Sequence, residues 1–174
     1  MKDPLRNPTA SRLRSKLVLV FFASFMVCRS SLADASPFTQ RMMSGGTISD
    51  GLDVGTIRQG RHPTFDRLVF DVTNWEGAGA EAGKPAASPG HISISPLVAR
   101  LEYAIELGGF RAFSAPMPAF SDNSRIASLK RRKGEAYEDD STVALLIKFQ
   151  TEFCYRVITL DDPARIVIDV GYCP

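Results

Sequence analysis

Histidine is scarce in this sequence: His62 and His91 are the only two among 174 residues. A zinc hydrolase needs His and carboxylate ligands at short spacing, as in H-E-x-x-H, and no such spacing occurs. Cysteine is scarce too, at three residues (Cys28, Cys154 and Cys173), with no Cys/His cluster to suggest a metal site. No G-x-S-x-G elbow is present. The Gly77–Gly83 stretch lacks the following Lys-Ser/Thr and the helix start that a phosphate loop requires. Neither sign of charge dominates, with 21 Lys+Arg against 19 Asp+Glu. At 44% hydrophobic and 23% charged residues the composition is close to the globular average. Wholesale disorder, collagen-like repeats and coiled coils are thereby excluded, and 174 residues suffice for one domain.

The basic residues that are present concentrate at the start. Lys2, Arg6, Arg12, Arg14 and Lys16 precede the apolar run Leu17-Val-Leu-Val-Phe-Phe-Ala23, which continues through Ser24-Phe-Met-Val27. Leu32-Ala-Asp-Ala35 then offers a small-x-small cleavage pattern. This order is that of a secretory signal peptide over residues 1–35, cut between Ala35 and Ser36. The run is shorter than the roughly 20 residues that span a bilayer. A lipoprotein cysteine at Cys28 and an uncleaved signal anchor are competing readings. No twin-Arg pair precedes the run, which favours a Sec-type route. The expected location is periplasmic or secreted, with no stable membrane insertion after cleavage. Residues 1–35 carry six of the 21 basic and two of the 19 acidic residues, so 15 basic and 17 acidic residues remain beyond them. The overall positive charge therefore belongs to the export segment, and no nucleic-acid partner is indicated.

Ser36–Gly51 is polar and Gly/Ser-rich and reads as a flexible leader. The low-complexity stretch Gly77–Gly90 reads as a flexible excursion. Between and after them lie strand-like runs: Val54–Arg58, Arg67–Val72, Val98–Leu107, Arg125–Lys130, Thr142–Phe149, Tyr155–Leu160 and Arg165–Val170. Ser95-Pro96 followed by Leu97, Leu101 and Ile105 also fits a capped helix ending at Gly108. The last two runs flank Asp161-Asp-Pro-Ala164 and predict a hairpin. A turn centred on Pro163-Ala164 sets Leu160 against Val167 and Cys154 against Cys173. In an oxidising compartment such a pair forms a disulfide.

The chain also resembles itself. Val54-Gly-Thr-Ile-Arg-Gln-Gly-Arg61 matches Ile126-Ala-Ser-Leu-Lys-Arg-Arg-Lys133, and Leu68-Val-Phe-Asp-Val72 matches Leu145-Leu-Ile-Lys-Phe149. Ala99-Arg-Leu-Glu-Tyr-Ala-Ile105 matches Ala164-Arg-Ile-Val-Ile-Asp-Val170. The offsets are 72, 77 and 65 residues. The third match tilts Val98–Leu107 toward strand. The expected fold is all-β: two similar antiparallel sheets packed as a pseudo-symmetric sandwich built from an internal duplication, over residues 52–174.

Tyr155-Arg-Val-Ile-Thr-Leu-Asp-Asp-Pro-Ala-Arg-Ile-Val-Ile-Asp-Val170 resembles the Y-x-V-x-x-L-x-x-P-x-R-[IV]-V-[IV]-D-[VL] ending of AMIN domains. Arg58-Gln-Gly-Arg-His-Pro-Thr-Phe-Asp-Arg-Leu-Val-Phe-Asp-Val72 is similar to the R-x-G-x-H-P-x-F-D-R-[VL]-V-F segment of the AMIN-like branch. The Gly77–Gly90 excursion and the two cysteines lie outside that pattern. The resemblance implies a small β domain of the bacterial envelope that contacts peptidoglycan and accompanies cell-wall amidases or secretins.

The expectation is therefore a non-catalytic domain without cofactor or metal. It would bind peptidoglycan or, alternatively, act as an adaptor docking to an envelope protein complex. Glycans are held by aromatic faces and planar polar groups, and peptide carboxylates by arginine forks. The candidate binding residues are Arg61, His62, Phe65, Arg67, Tyr155 and Arg156. A core-edge position is the plainer reading of Phe65 and Trp75. Arg67 and Arg165 could equally form strand-face ion pairs with Asp71 or Asp169.

Overall fold

Alternation of apolar and polar residues divides the chain into strands whose apolar rows meet. The computed structural model describes residues 37–97, 100–132, 138–139 (backbone only) and 141–174. The expected signal peptide and its cleavage site lie outside the described residues. Those that are described belong to one unit, Leu32–Pro174. In chain order the strands are β1 Met43–Gly46, β2 Leu52–Arg61, β3 Phe65–Asn74, β4 His91–Leu97, β5 Glu102–Gly108, β6 Phe110–Phe113, β7 Ile126–Arg131, β8 Glu138–Asp139, β9 Thr142–Phe149, β10 Cys154–Asp161 and β11 Ala164–Gly171. A short 3₁₀ helix, Glu76–Glu81, follows β3.

Two sheets form. The first has the order β10-β11-β3-β2-β6, and the second β1-β4-β5-β9-β7 with β8 on β9. All pairs are antiparallel except β2 with β6. The inner row of β3 is Leu68, Phe70 and Val72, and that of β11 is Ile166, Ile168 and Val170; all are buried. Ile92 and Ile94 of β4, Ile105 and Leu107 of β5, and Leu145 and Ile147 of β9 meet them from the other sheet. Each such side chain adds roughly 1.5–3 kcal/mol on burial. The expected all-β sandwich is the fold.

The duplication is written into the registers. β2 pairs with β3 and β7 with β9 in equivalent alignment, and each pair has a bulge, between Val54 and Thr56 and between Ile126 and Ser128. Those positions are related by the same 72 residues found in the sequence. The third offset needs correction. Ile94↔Ile105 and Val157↔Ile168 coincide at 63 residues, as do Ile105↔Leu145 and Ile168↔Leu68 once β9 is set on β3 at 77. The expected 65 keeps each side chain on its face but slides the strand by two.

Each half is split between the sheets. β2 and β3 lie in the first sheet, while β4 and β5 of the same half lie in the second. β7 and β9 lie in the second, and β10 and β11 return to the first.

Several expectations are revised. Leu101 adopts a left-handed φ of 55°, which breaks the expected Val98–Leu107 run, so β5 starts at Glu102. The alternative helix does not form. β4 and β6 were not anticipated. Pro96, which fitted a first helical position, lies beyond the part of β4 that β1 pairs, where no ladder donor is needed. The β10–β11 turn is centred on Asp162-Pro163, whose peptide bond is cis. Leu160 therefore faces Arg165, and Cys154 faces Gly171 rather than Cys173. The disulfide between Cys154 and Cys173 nonetheless forms, across a Cα–Cα distance of 4.9 Å.

The leader and the glycine-rich excursion, both expected to be flexible, are seated by backbone hydrogen bonds. Thr39 exchanges two with Tyr155 at the β10 edge (2.8 and 2.9 Å), and β1 then joins the second sheet. The excursion folds back along β3: Asn74 N–H donates to Lys84 O and Ala86 N–H to Val72 O, leaving Ala86 buried.

Candidate functional site

The outer face of the first sheet carries the side chains that alternate with the core. Arg67 of β3 and Arg156 of β10 are both cross-strand neighbours of Asp169 on β11. The Asp169 side chain is 0% exposed. Arg67 grips it as a fork, Nε to Oδ1 at 2.6 Å and Nη2 to Oδ2 at 2.9 Å. From the other side Arg156 places Nε and Nη2 each 2.8 Å from Oδ2. A buried carboxylate is stable only when charge and hydrogen bonds are supplied together, and here two guanidiniums supply both. Bonding to Asp169 raises the Arg67 pKa further above its usual value, so that guanidinium stays charged. Two cations share one anion, which leaves the cluster one positive charge in excess.

Aromatic rings flank the two guanidiniums. Arg156 lies 4.8 Å from the Phe38 ring and 5.3 Å from the Phe65 ring, and Arg67 lies 5.2 Å from Phe65. His62 stacks on Phe65, ring centroids 4.2 Å apart. Ring faces favour cation positions of this kind. Phe38 comes from the leader and packs above Gly171, where a Cβ would lie 2.9 Å from its ring and 3.0 Å from Thr64 O. Glycine is required there by that close approach. Both arginines keep an edge in solvent, with side chains 31% and 22% exposed.

Further along the same face Arg58 forms a second fork with Asp71, at 2.6 and 2.7 Å. That contact lowers the Asp71 pKa below the usual carboxylate range, with the Thr56 hydroxyl contributing less. The pairing of Arg67 is therefore with Asp169 across the strands, while Asp71 serves Arg58.

Of the residues expected to bind, the fold brings together His62, Phe65, Arg67 and Arg156. Tyr155 is a correction. It points inward and is 1% exposed, with its hydroxyl donating to Arg41 O at 2.6 Å. Burial pushes its pKa up to about 12, with Tyr103 adding to the shift. Neighbouring residues on a strand face opposite sides, so Tyr155 and Arg156 could not share a surface. Arg61 makes none of the cluster's contacts: it donates to Asn123 O at 2.7 Å and lines, together with Arg67, a cavity of about 170 Å³ between the β2–β3 end and the Phe120–Ser124 segment.

Two members of the cluster were missed. In the sequence Asp169 presents itself only as an ion-pair partner, and Phe38 falls within a polar segment that predicts a flexible leader. The single aromatic residue of a polar segment is the available signal for Phe38. Trp75 sits away from the cluster, beside Arg111 at 5.7 Å. Among the described residues no group of three or more His, Cys, Asp or Glu could hold a metal ion, and no helix is long and apolar enough to cross a membrane. Comparison with family models, curated proteins and solved structures finds no match.

Proposed function

We propose that this chain is an exported, non-catalytic binding domain of the bacterial cell envelope, periplasmic or secreted, that adsorbs to peptidoglycan. The observation that carries the reading is the Arg67–Asp169–Arg156 cluster flanked by Phe38 and Phe65 on an outer sheet face. The buried carboxylate holds both guanidiniums in place, so their free N–H edges are pre-oriented toward solvent. Such edges suit the carboxylates of peptide stems, and the rings suit the apolar faces of sugars. Each contact is modest, and the repetition of the polymer supplies avidity. The signal-peptide pattern and the AMIN-like motifs support the envelope assignment, and the disulfide is compatible with an oxidising compartment.

Sedimentation with purified sacculi tests the reading. The mature domain should pellet at low salt, and Arg156→Ala should shift most of it to the supernatant. A wild-type domain that stays in the supernatant would refute the proposal.

A second reading, an adaptor docking onto an envelope complex such as a secretin or an amidase, draws on one observation. Thr39 already adds a bridge to the β10 edge, the mode by which a partner strand would add. A stoichiometric partner recovered from envelope extract, without retention on sacculi, would favour it.

A further inference from the structure

The duplication gives the cluster a twin position on the opposite face. With the registers superposed, Asp169 corresponds to Glu106, Arg67 to Ala144 and Arg156 to Ser93. The cross-strand relations are the same: Asp169 faces Arg67 and Arg156, and Glu106 faces Ala144 and Ser93. Phe65 corresponds to Thr142. The carboxylate position is thus kept, while both cations and the ring are replaced by small side chains. Glu106 is exposed, and its partner across the strand is the Ser93 hydroxyl at 3.4 Å. Ala144 is 3% exposed and offers only a methyl group.

The difference extends along the faces. Asp71 faces Arg165 on the first face, whereas Lys148 faces Glu102 on the second, so the signs are exchanged. The outer rows of β2, β3, β11 and β10 hold four arginines (Arg58, Arg67, Arg156, Arg165) against Asp53, Asp71 and Asp169. The equivalent rows of β7, β9, β5 and β4 hold Lys130 and Lys148 against Glu102 and Glu106, and Arg132, next in the row beyond the end of β7, donates its N–H to Ala144 O at 2.8 Å. An anionic group brought to the centre of the second face meets an exposed carboxylate. Lysine, a point charge, does not reproduce the planar fork that matches a carboxylate.

We infer that recognition of a ligand carboxylate is confined to one of the two equivalent faces, and that Arg67 and Arg156, standing where the twin has Ala144 and Ser93, restrict it there. The domain is then univalent for that group despite its internal symmetry. This inference rests on the proposed binding function and specifies its chemistry and stoichiometry.

Titration of the isotopically labelled mature chain with N-acetylmuramyl-L-alanyl-D-isoglutamine, a soluble fragment bearing a free carboxylate, tests it by NMR. Backbone amides around Phe65, Arg67, Arg156 and Asp169 should shift and saturate at one equivalent. Arg156→Ala should weaken binding about tenfold or more, because a charged hydrogen bond is lost. Arg156→Lys keeps the charge and should weaken it nearly as much, while Ser93→Ala and Glu106→Gln should leave it unchanged. Shifts centred on Ser93, Glu106 and Ala144, or a second equivalent, would overturn the inference. So would the absence of any shift in a chain that still sediments with sacculi, an outcome that leaves the proposed function standing. Loss of sedimentation itself would remove both.

Discussion

Asp169 has no exposed surface, and its charge is carried entirely by two arginines that do reach water. Removing one partner of a buried ion pair costs about 3–5 kcal/mol. Both arginines can resolvate, so Asp169→Asn should destabilise by about 3 kcal/mol, the low end of that effect, measured by urea denaturation. Tyr155 provides a residue-scale test of burial. Its folded pKa of about 12 lies above the ordinary value of 10.0, so the fold favours the neutral phenol. The resulting stability is fully present below pH 10 and is lost as pH rises from 10 through 12. Urea midpoints should fall across that window as absorbance near 295 nm rises. Tyr155→Phe should flatten the dependence, at a cost near 1 kcal/mol at neutral pH for the lost bond to Arg41. Arg67, Arg156 and Phe65 were legible in the sequence because Arg and aromatic residues at polar strand positions point outward. Tyr155 has the chemical type of a surface ligand contact, but strand alternation beside the outward Arg156 sends it into the core.

The β10–β11 hairpin and its disulfide could be read from two β-rich runs around an Asp-Pro turn; its register could not, because the turn centre is a local choice between neighbouring residues. β4 was hidden by Pro96 and by the low-complexity stretch before it. β1, Met43-Ser-Gly-Gly, has no local strand signal and is held by pairing with β4. At this scale the C-terminal end of β11 joins three parts of the molecule: the disulfide, Phe38 of the leader and the arginine cluster. Reduction of Cys154–Cys173, which closes a separation of 19 residues, should lower stability by about 3 kcal/mol, seen as a shift of the denaturation midpoint with reductant. Gly171→Ala puts a methyl group against Phe38 and Thr64 O. It should cost roughly 1–3 kcal/mol and lift the leader from the cluster, exposing the Thr39 amide to hydrogen exchange.

Across the whole molecule, repetition in sequence revealed the two sheets but not how the halves divide between them. A half that kept its four strands together would show the same repeats. The exchange arises because β3 and β9 lie inside their sheets and each pairs with a strand from the other half, β11 and β5. It predicts that neither half is a folding unit. Residues 37–120 alone and residues 121–174 alone should each lack dispersed amide resonances, and mixing them should restore the native spectrum. A folded isolated half would contradict the exchanged arrangement.

Two copies of a single half-chain, set about a two-fold axis, could satisfy the same pairing with no linker between them. Symmetry would then oblige both outer faces to carry the same residues, and an arginine on one would appear on the other. Covalent joining lifts that obligation. Arg67 opposite Ala144 and Arg156 opposite Ser93 are differences that only a fused pair can hold. The linked chain can therefore present one face to a ligand and leave its counterpart free to differ.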